Sequence, residues 1–289
     1  MFRTDPTRAA PETGRLCFVD LPGWADDDLE NALEALRLNP ATVDGDARSF
    51  FETRFRPAEP IAGHFTGYYE PELDAALTPS DAFPVPIHAM PPTGASAPRA
   101  TILPMLQGGE IAWLRDEVDR FFLQVQGSGL LRLPDGGTLR VGYAGSNGHP
   151  YRSVGKLLSD RGIFGPNITA EALKDWLRAD PARGRAVMNE NPSYIMFRKT
   201  DAPSGQGPLG TLCPVTPLRS LAVDPVHTPL GTPVWIETDG HARLCIAQDT
   251  GSAIIGPGRA DLFFGTGDVA GLAAGRLNHP GRFIPLLPR

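Results

Sequence analysis

The sequence predicts a mainly β protein with a few peripheral helices. Three observations carry that expectation. Of 289 residues, 32 are glycine and 30 are proline, a density of turn formers that suits many short strands and disfavours a helical bundle. Helical periodicity is confined to a few short stretches. After the proline at 217 the chain reads LRSLAVDPVHTPLGTPVWIETDGHARLCIAQDTGSAI, at least three short apolar runs cut by Pro/Gly turns, the pattern of a small β-barrel.

The elements follow in order. ADDDLENALEALRL, residues 25–38, predicts a helix: acidic residues fill its first turn, Leu29, Leu33 and Leu36 share one face, and Pro40 lies just beyond. A second short helix is expected over Asp46 to Phe55. Two Pro/Gly/Ser-rich stretches, residues 75–104 and 201–217, interrupt regular structure and frame a middle block of about a hundred residues, the size of a domain. Inside it, DRFFLQVQGSGLLRL and GTLRVGYAG are read as strands joined by the turn Pro134-Asp135-Gly136-Gly137. RSVGKLLSDRG, closed by Gly162, and TAEALKDWLRAD, opened by Thr169, are read as helices. In the last block the Asp249 turn is expected at the end of the LCIA strand.

Composition removes several functions. A formal net charge of -6 with no dense Lys/Arg run argues against a nucleic acid partner. Cys17, Cys213 and Cys245 have no metal-ligand spacing and are expected as small buried apolar residues, and the six histidines form no His-Glu-x-x-His pair. Neither a metal nor a cofactor is expected. The opening MFRTDPTRAAPETGRL has no apolar signal-peptide core, and no run approaches the roughly 18 apolar residues of a membrane span, so a soluble body is expected.

Asp249-Thr250-Gly251-Ser252 spells the tetrapeptide of an aspartic protease. That chemistry requires two carboxylates sharing one proton, hence a second Asp-Thr-Gly or Asp-Ser-Gly, and the chain has none. Polar Gln248 also stands where the protease strand is normally apolar. Three other clusters are Gly67-Tyr68-Tyr69-Glu70-Pro71, Gln124-Val125-Gln126-Gly127-Ser128-Gly129, and the stretch from Tyr143 to Arg152. Glycine beside Tyr, Gln, Asn and Ser gives what a sugar groove needs: close backbone approach, aromatic faces and neutral hydrogen-bonding groups. Taken singly, each cluster is more simply an ordinary turn.

Taken together, GYYEPEL, FFLQVQGSG, VGYAGSNGHPYRSVGK, NPSYIMF, AVDPVHTPLGTPVWI, QDTGSAI and RADLFFGTGDVAG appear in an order that closely resembles the MltA family of lytic murein transglycosylases, from about Gly63 to the C-terminus. Ser252 stands where the family more often has Gly. The resemblance implies a double-psi β-barrel built from residues 1–75 and 205–289, with a second β-rich domain, 76–204, inserted across a groove. It implies Asp261 as the single catalytic acid, with Asp249 and Asp224 as supporting members of a three-aspartate region. Thr66, Tyr68, Gln126, Ser128, Tyr143 and Asn147, in or beside the matched clusters, are the expected groove residues. Burial beside Leu262, Phe263 and Phe264 would raise the pKa of Asp261. Asp249 is expected to accept N–H groups of the following turn.

The implied partner is a peptidoglycan glycan strand. Partners in cell-wall synthesis or division are not readable. The implied location is periplasmic, with outer-membrane attachment through a lipoprotein anchor left open. Two alternatives remain at this point: a hydrolase using Asp249 and Asp261 as a pair, and a glycan-binding module without catalysis.

Overall fold

The computed structural model describes residues 16–39, 45–165, 168–201 and 206–289. Among them the chain forms thirteen strands and seven α-helices, divided between two sheets. The expected mainly β architecture with peripheral helices is therefore the one that forms.

The chain enters through helices α1 (Leu29–Arg37) and α2 (Ala47–Arg54), capped by Asp28 and Asp46, whose carboxylates accept the backbone N–H groups of Asn31 and Ser49. Strands β1 (Phe55–Pro57) and β2 (Ile61–Glu70) follow, then a second unit, and the chain returns as β9 (Ser220–Val223), β10 (Pro233–Thr238), β11 (His241–Asp249), β12 (Arg259–Thr266) and β13 (Asn278–Pro288). The order β13-β10-β11-β9-β12-β2 is closed by pairing of β2 with β13, giving a six-stranded barrel with β1 attached outside. Two neighbouring pairs, β9 with β11 and β2 with β12, are parallel.

Period-2 alternation decides which side chains fill this barrel. Phe65, Leu221, Val223, Val234, Ile236, Cys245, Ala260, Leu262 and Phe283 form its interior. Their neighbours in sequence must point outward. Trp235, Leu244, Ile246 and Ile284 do so under α1 and α2, where they pack with Leu33, Leu36 and Phe51. Arg219 adds a buried bidentate pair with Asp27, holding the helical cover to the start of β9. Asp261, between Ala260 and Leu262, is forced outward by the same alternation, on a side that the helices leave uncovered.

The second sheet has the order β4-β5-β3-β6-β7-β8. Its strands are β3 (Glu72–Ala76), β4 (Val85–His88), β5 (Glu110–Leu114), β6 (Gly129–Arg132), β7 (Thr138–Ser146) and β8 (Ile195–Lys199). It begins at Glu72, while the expected division lay at 75/76; the other expected division, 204/205, touches residues outside the described ones, as do residues 1–15. Helices α3 (Glu117–Gln126), α4 (Val154–Asp160), α5 (Ala170–Ala179) and α6 (Pro181–Met188) pack beside it around Phe121, Leu158 and Leu177. The remaining helix, α7 (Asp268–Ala274), lies on β2 and β12. Gly67 makes that packing possible, since a Cβ there would meet the backbone oxygen of Ala274 at 2.6 Å.

Three expectations are corrected. FFLQVQ is helical within α3, not a strand: Asp116 caps it by accepting the N–H of Asp119, and Gly127 ends it at φ 81. Its buried Val118, Phe121 and Leu123 follow the helical face, and Val125 is exposed. The Pro-rich stretch 75–104 contains a genuine strand, β4, paired with β5. Cys17 is exposed, whereas Cys213 and Cys245 are buried as expected.

Candidate active site

Four adjacent strands bring a row of residues into register on the uncovered face of the barrel. Asp249 of β11 pairs with Ala222 of β9, Ala222 with Asp261 of β12, and Asp261 with Thr66 of β2. Two inter-strand steps put the two aspartates about 10 Å apart at their backbones. The methyl group of Ala222 leaves the space between them open. A register shift between Ala247 and Asp249 turns the end of β11, so that Asp249 faces this row while Ala247 faces the core.

The two carboxyl groups have different surroundings. Asp249 Oδ1 accepts the N–H of Thr250 at 2.8 Å, the N–H of Thr211 at 2.9 Å and the Thr211 hydroxyl at 3.0 Å. Its Oδ2 accepts the Tyr68 hydroxyl at 3.0 Å. Burial dominates and leaves the Asp249 pKa above the ordinary carboxylate value, with these donors pulling against it. The Tyr68 phenol stays protonated, because burial and the neighbouring Asp249 charge hold its pKa well above the ordinary value. Four donors on Asp249, against one on Asp261, favour its charged form against that burial.

Asp261 Oδ1 accepts one hydrogen bond, from the Thr66 hydroxyl at 2.7 Å. Its Oδ2 has no hydrogen bond among the described residues, and the side chain lines the cavity described below. Burial raises its pKa to about 6, against the opposing effects of Thr66 and of Arg259, with Asp249 adding a like charge. Arg259 acts at one remove: its Nη2 donates to Thr66 Oγ1 at 2.8 Å and its Nη1 to the Ala260 carbonyl at 2.6 Å. A cation bonded directly to Asp261 would lock it as carboxylate. Routing that charge through a hydroxyl leaves a carboxyl group that can hold a proton or release it near neutral pH.

A cavity of about 250 Å³ opens over this row, and its walls come from both units. The barrel contributes Gly67, Tyr68, Ala222, the Asp249–Ile254 turn, Arg259 and Asp261; the second unit contributes Gln124, Val125, Gln126, Arg99, Tyr151 and Ser193 among others. Gln126 crosses between them, with its Oε1 accepting the N–H of Tyr69 at 3.1 Å.

Of the expected site residues, Asp261, Asp249, Tyr68 and Gln126 meet at this cavity, and Thr66 stands behind Asp261. The structure does not bring the others there. Asn147 is buried, with its Nδ2 donating to the carbonyls of Ala97 and Pro192 and its Oδ1 accepting from Tyr194. Tyr143 is exposed on β7, and Ser128 follows the Gly127 cap of α3; neither lines the cavity. Asp224 lies outside it too, tying two loops by accepting the N–H groups of Gly256 and Val226, which lower its pKa. Thr211, Arg99 and Ser193 were not expected, and Tyr151 belongs to the Tyr143–Arg152 stretch without having been singled out in it. They sit on loops, where no periodicity marks a residue that faces a groove.

Comparison with solved structures identifies the architecture. A membrane-bound lytic murein transglycosylase from Agrobacterium tumefaciens superposes with a TM-score of 0.84 at 33% identity, covering 95% of this chain and 97% of that one. The chain belongs to the MltA family of lytic murein transglycosylases. Two family models match separate regions, the MltA specific insert domain over residues 97–198 and the 3D domain over residues 219–287. The first falls in the unit that forms the second sheet, and the second spans the five returning barrel strands, including Asp224, Asp249 and Asp261. E. coli MltA with bound chitohexaose gives a TM-score of 0.74 at 30% identity over 90% of this chain and 84% of that one. The membrane-bound lytic murein transglycosylase A of Vibrio cholerae is 36% identical over 236 residues, which are 75% of this chain and 63% of that protein. The chain thus spans somewhat less than two thirds of that curated MltA relative.

Proposed function

We propose that this protein is a peptidoglycan lytic transglycosylase that cleaves the β-1,4 bond between N-acetylmuramic acid and N-acetylglucosamine, with Asp261 as its only acid and base. The observation that carries the reading is the asymmetry of the two carboxyl groups. Asp249 is saturated with donors, while Asp261 keeps an unbonded Oδ2 beside the cavity. A two-carboxylate glycosidase needs a second group free to activate water or to attack the sugar. Asp249 is not free for either task.

The steps balance without water. Protonated Asp261 gives its proton to the glycosidic oxygen as the bond to muramyl carbon 1 breaks, and the N-acetylglucosamine chain leaves with a free hydroxyl. The Asp261 carboxylate then takes the proton of the muramyl carbon-6 hydroxyl, whose oxygen closes on carbon 1. The products are a 1,6-anhydromuramyl end and Asp261 protonated again. The nucleophile is tethered to its target, so proximity supplies much of the rate. Developing positive charge at carbon 1 would lie near Asp249, whose charged form would favour it electrostatically. Chitohexaose bound to the E. coli relative supports an oligosaccharide in the groove.

Names of relatives that include the word membrane-bound support a place in the cell envelope, and we place the working enzyme in the periplasm. No helix among the described residues is long and apolar enough to cross a membrane.

Mass analysis of murein digested by the purified protein tests the reading. Anhydro-ended muropeptides are expected; reducing ends would make the protein a hydrolase, and an unchanged polymer would leave it a binding module. The acid's titration gives a second test. Turnover requires the protonated form, so it should fall as pH rises through the Asp261 pKa, about 6 before substrate binds. The Thr66 hydroxyl stabilises the carboxylate form, and Thr66→Val should move the midpoint to higher pH. A pH-rate profile with an unmoved midpoint would detach Thr66 from the acid.

A further inference from the structure

The second unit buries a guanidinium with no counterion. Arg99 is 8% exposed, sandwiched between the rings of Phe121 and Tyr194 at 4.8 and 5.2 Å, and donates from Nη2 to the Ser193 carbonyl at 2.8 Å. No carboxylate lies within ion-pair distance of it among the described residues, and its Nε has no partner. Arg120, 7% exposed, also has an unpartnered Nε; its Nη1 donates to the Pro86 carbonyl at 3.3 Å, and among the described residues its one carboxylate is Glu117 at 3.5 Å, already engaged by Arg185 at 2.7 Å. A buried unpaired charge is costly, and native structures rarely keep one without a use.

These groups surround a cavity of about 80 Å³. Arg99, Arg120 and Arg185 line it, against a single carboxylate, Glu117, and the Tyr194 ring. On the measure in which one water needs roughly 10 to 15 Å³, the space holds a carboxylate group with a few waters. Three guanidiniums offer forked donors that match two oxygens of one anion. His88, hydrogen-bonded to Tyr194, cannot act as a further cation there: burial, then the Arg120 charge, holds its pKa down at about 4. Arg99 also lines the catalytic cavity, so the two spaces share a wall.

We propose that the Arg99–Arg120–Arg185 cavity is an oxyanion site that receives a carboxylate from a peptide substituent of the glycan bound in the neighbouring groove. The site rests on the glycan reading above and adds to it a preference for peptide-bearing strands. Sugar hydroxyls and acetamides are neutral and would leave the arginines unmatched. While the peptide is attached, the lactyl carboxyl of N-acetylmuramic acid is tied up as an amide, so the peptide carboxylates are the anionic groups next to the sugars. One cavity therefore recognises the glycan, and the other recognises what is attached to it.

The test uses the full chain carrying Asp261→Asn, so that binding is measured without cleavage, with fluorescent murein strands either bearing their peptides or stripped of them and with the freed lactyl carboxyls capped as neutral amides. The peptide-bearing strand should bind roughly tenfold or more tightly, the scale of one charge-assisted contact. Arg120→Gln and the exposed-site variant Arg185→Gln should each reduce that preference to less than twofold, while affinity for the stripped strand stays within twofold. Arg185 has a 62% exposed side chain, so its replacement keeps the test valid if the Arg120 variant folds poorly. Equal affinity for the two strands in the parent protein overturns the proposal. So does an unchanged preference in Arg185→Gln together with a folded Arg120→Gln. If inorganic phosphate raises the unfolding midpoint of the parent but not of Arg120→Gln while the two strands bind alike, the site serves a free anion, and the peptide assignment falls. Absence of binding to the stripped strand would count against the glycan reading itself.

Discussion

Asp261→Asn is expected to keep the fold and saccharide binding while losing turnover by at least the roughly 10²- to 10⁴-fold associated with general acid-base catalysis. The lower bound applies to a group that acts once; Asp261 would act twice, first as donor and then as acceptor. Asn retains an oxygen for the Thr66 hydroxyl at Oδ1 and presents an amide at the position of the unbonded Oδ2. The variant should also be no less stable at neutral pH. Burial raises the folded-state pKa of Asp261 from 3.8 to about 6, so the parent loses stability as pH climbs through that interval, and the loss persists above it. Removing the charge should return on the order of 1 to 3 kcal/mol above pH 6 and nothing below pH 4, as read by denaturant unfolding at both pH values. Asp249→Asn should differ. Its carboxylate holds Tyr68, Thr211 and Thr250 together, and an amide accepts more weakly and turns an N–H towards one of these donors, so the groups it organises should lose order and activity should fall, while relief of the burial that raises its pKa returns part of the lost stability above that pKa. An inert but fully stable Asp249→Asn, beside an active Asp261→Asn, would reverse the assignment.

The second large effect is structural. Glu70, at the end of β2, is fully buried and forms an ion pair with Arg140 of β7 at 2.9 Å; its Oε2 accepts hydrogen bonds from Arg140 Nη2 at 3.1 Å and the Thr266 hydroxyl at 2.8 Å. This pair joins the barrel to the second sheet, and hence fixes one wall of the groove against the other. Arg140→Met would strand a buried carboxylate, which costs about 3 to 5 kcal/mol. Burial already raises the Glu70 pKa, and losing Arg140 should raise it further. The destabilisation should therefore shrink as pH falls and Glu70 takes up a proton. A variant with near-parental stability at pH 8 would show that the pair contributes little to holding the two units together.

Much of the barrel was legible because its strands are short, apolar on alternate residues and separated by Pro/Gly turns, and because Asp261 stands at a strand position that alternation sends outward; Asp249, in phase with Cys245 and Ala247, is turned out only by the register shift in β11. What alternation cannot supply is which strands become neighbours. The Asp249-Ala222-Asp261-Thr66 row exists only because β9 and β12 close beside β11 and β2, and Ala222 carries no sign of its role. FFLQVQ misled because a short run of apolar and polar residues fits a strand as well as a helix, and the deciding features, the Asp116 cap and Gly127, lie outside it. Asn147 misled in another way. A glycine-flanked Asn reads as a sugar ligand, but its hydrogen-bonding capacity is consumed by Ala97, Pro192 and Tyr194, which come from distant parts of the chain. Arg99 was missed because it lies in the Pro-rich stretch that reads as a linker.

The source of the oxygen at the new sugar end separates a single-carboxyl transglycosylase from a hydrolase. Digestion of murein in water enriched in the heavy oxygen isotope, followed by mass analysis of the released muropeptides, reads that source directly. If Asp261 passes its proton and recovers it from the muramyl carbon-6 hydroxyl, the new end is anhydro and carries no label. Label at muramyl carbon 1 would show that water attacks, would require a second group to activate it, and would contradict the single-carboxyl mechanism.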